Sequence, residues 1–160
     1  MKVNDLMTRD VVHCPDCSSL NTAAQMMWEH DIGCVPIVNS EERVVGMLTD
    51  RDICMSAYLQ AVLLRDTLVT SAMSKEVFSC RSEDDIAAAV KLLREKQLRR
   101  LPVVDVQGKL VGIISLGDIA REAANEAGMT TPRQLSNAEF THVFSCVCAP
   151  RARAVRAQAA

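Results

Sequence analysis

The stretch VGMLTDRDI, residues 45–53, returns 66 positions later as VGIISLGDI, residues 111–119. Each copy reads as an apolar strand that stops at a hydroxyl, Thr49 or Ser115, and opens a helix with an aspartate one turn in, Asp52 or Asp118. At the same offset of 66 the two halves align without a gap from Val3 to Ala57. Met7 falls on Met73, Val11 on Val77, Cys14 on Cys80, Pro36 on Pro102 and Gly46 on Gly112. One supersecondary unit has been used twice, and that repetition decides the fold.

The unit can be read from its periodicities. DVVHC (10–14) predicts a strand, after a one-turn helix around NDLMT. A Pro-Asp turn and a serine cap region precede Leu20, Ala23, Ala24 and Met27, which recur at helical spacing. CVPIVN predicts a second strand, with Pro36 near its start, where a missing N–H does least harm. SEER is a polar hairpin turn, VVGML a third strand, and residues 49–64 a second helix capped by Thr49. The second half repeats the order β-α-β-β-α. A unit of this size alone buries too little surface to be stable, so two are expected to pack as a pseudo-twofold pair around a shared core. The expected division is residues 1–64, a link at 65–68, residues 69–127, and a tail over 128–160.

Composition narrows the class. The chain has 160 residues, a formal charge of −2 and only 3% aromatics, so its core must be aliphatic. No overall field attracts nucleic acid or anionic membrane. The first twenty residues carry Asp5, Arg9, Asp10 and Asp16, so no signal peptide forms. The uncharged run Ile53–Leu64, twelve residues, is too short to span a bilayer and suits a buried or interface helix. Seven scattered cysteines, an odd number, do not make a secreted disulfide framework. A cytoplasmic location is expected.

The recurring set PD-x-S, an A/M-rich helix, P-[IV]-V and VG-[IM]-[LI]-[TS]-x-x-D-I resembles a tandem cystathionine β-synthase (CBS) domain pair, a stand-alone Bateman module, over about residues 3–125. The resemblance implies an adenosine-containing ligand, of the AMP, ATP, NAD or S-adenosylmethionine class, held in the cleft between the domains. It also implies a homodimer, often a flat disc, that reports to a partner protein. No cofactor is required, and the nucleotide would be a regulatory ligand.

The chemistry of the caps fits that implication. A carboxylate is the best acceptor for the two neighbouring hydroxyls of a ribose. Helix N-termini, hydroxyls and arginines suit phosphates. By resemblance Asp52 and Asp118 bind ribose, while Thr49 and Ser115 touch ribose or phosphate. The plain alternative is a capping box that stabilises each helix with no ligand. The sites are unequal. Arg99 and Arg100 precede the second proline-containing strand where the first unit has Gly33 and Cys34, and Arg51 faces Gly117 in the alignment. All three arginines are phosphate candidates, the alternative for Arg99 and Arg100 being a solvated pair. Val11, Val12, Val77 and Phe78 would wall the base, or else are ordinary core.

Two further features stand outside the repeat. Cys14-x-x-Cys17 and the tail residues His142 and Cys146, an i,i+4 pair on a helix carrying Phe140, Val143, Phe144 and Val147, would together supply four tetrahedral zinc ligands. The tail helix, opened by a capping-box pattern at 136–139, would fold back or cross to a dimer mate to close that site. The alternative is small core cysteines. The chain ends with Arg151, Arg153 and Arg156 among alanines, a basic tail. No nucleophile–base set, P-loop or dinucleotide fingerprint is present, so an enzyme is not expected. A ligand-sensing module is the leading class. A zinc- or redox-responsive interaction protein that binds no nucleotide is the alternative.

Overall fold

A computed structural model of the chain describes residues 1–126 and 137–150. The first repeat runs β1 (Cys14–Pro15), α2 (Leu20–Glu29), β2 (Cys34–Val38), β3 (Val44–Thr49) and α3 (Asp50–Gln60), after a one-turn helix α1 (Val3–Leu6). The second runs β4 (Cys80–Arg81), α4 (Ile86–Lys96), β5 (Arg100–Val104), β6 (Leu110–Ser115) and α5 (Leu116–Glu126). A last helix, α6, spans Asn137–Cys148. The expected β-α-β-β-α order is therefore present twice, in an α/β fold with a C-terminal helix.

Each repeat forms a three-stranded sheet, ordered β1-β2-β3 and β4-β5-β6, with the first pair parallel and the second antiparallel. The strands expected over 10–14 and 76–80 shrink to two residues each, because pairing begins only where Cys14 meets Ile37 and Cys80 meets Val103. Val11 and Val77 thus lie in loops just ahead of the sheets. The helix expected over 49–64 ends at Gln60, where Ala61 turns into the left-handed region at φ 51°.

The core is aliphatic, as the composition required. Leu20, Val35, Ile37 and Leu48 are fully buried in one cluster, and Ile86, Leu93, Leu101 and Ile114 in the other. The N-terminal segments cross between clusters. Val3 is buried in the second repeat's core, and its counterpart Val69 in the first repeat's. The Val3 N–H donates to the Asp84 carbonyl at 3.0 Å, and the Val69 N–H to the Ser18 carbonyl at 2.9 Å. Thr8 extends the edge of β6 through Ile113, and Ser74 the edge of β3 through Met47. The boundaries at 64 and 69 follow the chain, whereas packing runs across them.

This crossing explains two repeated glycines. A Cβ on Gly46 would overlap the Met73 side chain, with Cγ at 2.9 Å, and stand 3.1 Å from the Ser74 carbonyl. A Cβ on Gly112 would meet Met7 Sδ at 2.6 Å and the Thr8 carbonyl at 3.1 Å. Glycine is required here by the close approach of another chain segment's backbone. The pseudo-twofold axis passes near the two hairpin turns, where the equivalent residues Arg43 and Lys109 form an isolated antiparallel bridge. The Lys109 ammonium meets the Glu42 carboxylate there at 2.9 Å.

Gly46→Ala is expected to destabilise the protein by about 1–3 kcal/mol, the usual range for overpacking a filled site. Gly108→Ala is strained instead by its φ of 83°, with open space around its Cβ. In the Gly46→Ala background, truncating Met73 to Ala should recover part of the loss in urea denaturation, while in the Gly108→Ala background it should recover none.

Candidate functional site: the paired strand-to-helix caps

Both VG-x-x-[TS]-x-x-D junctions form the capping box that the spacing predicts. The Thr49 N–H and hydroxyl donate to Asp52 Oδ2 at 2.9 and 2.6 Å, and the Asp52 N–H donates to Thr49 Oγ1 at 3.2 Å. The Ser115 N–H and hydroxyl donate to Asp118 Oδ2 at 2.7 and 2.6 Å, with the Asp118 N–H returning to Ser115 Oγ at 3.3 Å. Two of the orphan donors at each helix start are thereby satisfied. Loss of such a cap costs about 0.5–2 kcal/mol.

The second carboxylate oxygen separates the two caps. Asp52 Oδ1 accepts from no side chain among the described residues. Asp118 Oδ1 accepts from Arg121 Nη2, in an ion pair whose carboxylate is buried and whose guanidinium is largely exposed. Sequence reading missed Arg121. Its signal was the i,i+3 spacing from Asp118 on a helix face, where Met55 stands in the first repeat.

The structure also relates one arginine to one cap. Cys34 opens β2 opposite Thr49, and Arg100 opens β5 opposite Ser115. The two are equivalent positions of the repeat, and the Arg100 charge acts on the Cys34 thiol. Burial pushes that thiol up to about 11; the Arg100 charge opposes the rise and the neighbouring Asp52 and Asp50 carboxylates add to it. So Arg100 of the second repeat sits in the electrostatic neighbourhood of Asp52 of the first. Arg99 and Arg51 are exposed. Val11, Val12, Val77 and Phe78 are half-buried, Val12 packing on the first core and Phe78 on the second. The Lys96 ammonium lies 4.5 Å from the centre of the Phe78 ring.

Two concavities lie away from the caps' carboxylates. One, of about 440 Å³, runs between α2 and α3. The other, of about 490 Å³, lies beside β4 and the β5–β6 turn.

The zinc ligands are divided. His142 Nε2 and Cys146 Sγ stand 3.9 Å apart on α6, as their spacing predicts. That helix packs on α4 and α5, over the second core, whereas Cys14 is buried in the first core and Cys17 is exposed beside it. Among the described residues no three His, Cys, Asp or Glu side chains gather to hold a metal. Folding of α6 back onto Cys14 and Cys17 of its own chain is therefore not what the structure shows; α6 has buried its apolar stripe elsewhere. The capping-box side chains at 136–139 and the arginines of the basic tail lie outside the described residues. No helix among the described residues is long and apolar enough to cross a membrane.

The family model of the CBS domain matches residues 3–57 and 69–125. The chain belongs to the CBS domain family, as a tandem pair. The CBS domain-containing protein YhcV of Bacillus subtilis is 37% identical over 139 residues, 84% of this chain and 95% of that one. A crystal structure of Hypoxic Response Protein I with two coordinated zinc ions is 32% identical and superimposes with a TM-score of 0.70 over 76% of this chain and 98% of that one. The structure of CBSX2 in complex with AMP is 28% identical, with a TM-score of 0.69 over 78% and 96%. A Methanopyrus kandleri protein, 34% identical over 119 residues, is covered over only 61% of its own length. Homoserine O-acetyltransferases of Methanohalobium evestigatum and Methanococcoides burtonii are covered over only 23% of theirs.

The thiols divide by burial. Desolvation raises the pKa of Cys14, that of Cys34 to about 11 and that of Cys80 to about 12, and the thiolate is the nucleophile. Iodoacetamide on the native protein should label exposed Cys17, Cys54 and Cys148, and should reach Cys14, Cys34 and Cys80 only after unfolding, as read by peptide mass spectrometry. These buried groups hold their protons more tightly folded than unfolded. Their contribution to stability is therefore complete below the ordinary thiol value of 9.0 and is lost as pH rises through the folded values. The melting temperature should fall above that pH.

Proposed function

We propose that the protein is a regulatory module that binds an adenosine-containing ligand between its two repeats and, as a homodimer, signals occupancy to a partner protein. The observation that carries this reading is the first cap. Asp52 keeps its helix capped with Oδ2 and leaves Oδ1 open, at a helix N-terminus, with an arginine of the other repeat nearby. A ribose hydroxyl can donate to Oδ1 without breaking the cap. Arg100 and the α3 N-terminus supply phosphate donors, with Arg51 and Arg99 at the exposed margin. Thr49 and Ser115 lie where ribose or phosphate would pass. Val11, Val12, Val77 and Phe78 form the apolar surfaces for the base. At the second cap, a ribose reaches Asp118 Oδ1 only by displacing Arg121, which then becomes a phosphate donor. The AMP complex of a related CBS protein supports the ligand class.

Isothermal titration with AMP, ATP and S-adenosylmethionine tests this. A charge-assisted hydrogen bond is worth about 1.5–3 kcal/mol. Asp52→Asn and Asp118→Asn, which keep the shape of the cap, should each weaken the ligand of their own cleft by about 10- to 100-fold. Full-strength binding in both variants would remove the ribose assignment, and no binding by the parent protein would remove the reading itself.

One observation favours a second reading, the zinc-responsive interaction protein. His142 and Cys146 already form half of a tetrahedral ligand set on one helix face, and a related protein carries two zinc ions. Here exposed Cys17 is the sulfur candidate from a second copy, while Cys14, buried in the first core, is out of another chain's reach. Stoichiometric zinc in the purified protein, lost in Cys146→Ala, is the expected result; zinc unaffected by that substitution would end this reading.

A further inference from the structure

Around two caps of one design the repeats carry different residues. Helix α5 has Gly117 and Arg121 where α3 has Arg51 and Met55, so each helix brings one arginine to its first turns, at a different position. Arg51 is exposed. Arg121 turns back along α5, and its Nη2 pairs with Asp118 Oδ1, the oxygen that the cap leaves over.

Gly117 makes room for that return. A Cβ there would already touch Ser115 Oγ at 3.4 Å and Arg121 Nη1 at 3.6 Å, so a longer side chain would contend with the guanidinium for one space. The first repeat places its own arginine, Arg51, at this position. The glycine and the returning arginine therefore belong together, and the first repeat has neither.

A second cation covers the apolar surface of repeat 2. Lys96 Nζ lies 4.5 Å from the centre of the Phe78 ring, where the first repeat has His30 and Val12. Three residues on, the Arg99 carbonyl accepts the Leu116 N–H at 3.0 Å, which ties the segment after Lys96 to the start of α5. In repeat 2 the carboxylate oxygen and the ring assigned above to ribose and base are thus both occupied by the chain's own cations. In repeat 1 Asp52 Oδ1 accepts from no side chain among the described residues, and Val12 has no π face to hold a cation.

We infer that Arg121 makes the second cleft selective for adenosine ligands that carry phosphate, while the first cleft takes them with or without it. This rests on the nucleotide reading above and states what each cleft accepts. An uncharged nucleoside must move Arg121 off a buried carboxylate to reach Oδ1, and it offers the guanidinium no anion in exchange. A phosphate monoester does offer one, and a guanidinium binds phosphate oxygens as a two-pronged fork. The exchange opens no core: the carboxylate is 8% exposed and the guanidinium side chain 71%, so the arginine swings away through solvent. An ion pair with one partner in water is also weak enough for a ligand to displace.

Titration calorimetry of the full chain with adenosine and with AMP tests this, in an Asp52→Asn background so that the second cleft reports. Arg121→Met, which installs the first repeat's residue, should tighten adenosine about tenfold and weaken AMP about tenfold, with unchanged circular dichroism. Gly117→Leu, which crowds the guanidinium without removing it, should tighten adenosine in the same sense. A gain of affinity on losing a side chain is the signature of a competing ion pair, and a merely structural role does not produce it. No gain in adenosine affinity in Arg121→Met, while the parent protein binds either ligand, overturns the inference and leaves the nucleotide reading standing. Binding of neither ligand by the parent protein or the variants removes that reading, and the inference with it.

Discussion

Everything in this fold depends on the exchange of the short segments that precede each repeat. Val3 fills the core of the second repeat and Val69 that of the first. Burying one such side chain contributes about 1.5–3 kcal/mol, and each crossing also closes a sheet edge, through Thr8 on β6 and Ser74 on β3. A repeat of this size, cut from its neighbour, would lose an anchoring valine, an edge partner and the methionine that fills the space over Gly46 or Gly112. Neither half is a complete folding unit, which is the reason the pair behaves as one.

The same exchange fixes the symmetry, and symmetry sets equivalent residues face to face. Arg43 meets Lys109 at the turns, and the Arg100 charge acts on Cys34 at the heads of the central strands. Near such an axis any difference between the repeats becomes a difference within one site. Where the first repeat has a thiol, the second supplies a guanidinium; where the first has Met55, the second has Arg121 holding its own aspartate. Two caps of the same design thereby become two chemically distinct places, one with an open carboxylate oxygen and one with that oxygen already paired.

The fold was legible in the sequence because its strongest signal, the repeat at 66 positions, is independent of secondary-structure propensity. The caps were legible too, since a hydroxyl three residues ahead of an aspartate leaves few other geometries. The first strands were over-read: DVVHC has a strand's composition, but its backbone finds a partner only from Cys14 onward. The crossing of Val3 and Val69 was invisible, because a swapped segment and an unswapped one have the same apolar pattern. So was the relation of Arg100 to Asp52, which joins residues far apart in the chain. The apolar stripe of α6 was legible, and the helices of its own chain that it packs on were not. Periodicity shows that a stripe must be buried; it does not say against what.

A regulatory ligand works only if it binds two states of the protein unequally. Asp52 and Arg100 belong to different repeats, so a ligand that used both would bridge the two repeats. The helix that starts at the Asp52 cap is α3, and α3 carries Tyr58 and Leu59 at its other end. A rigid helix of eleven residues, about 1.5 Å per residue, therefore connects the open carboxylate to the exposed apolar face. In repeat 2 the corresponding helix is clamped by Arg121 at its start and lies under α6. If occupancy of the first cap is transmitted to the surface, α3 is the element that joins the two.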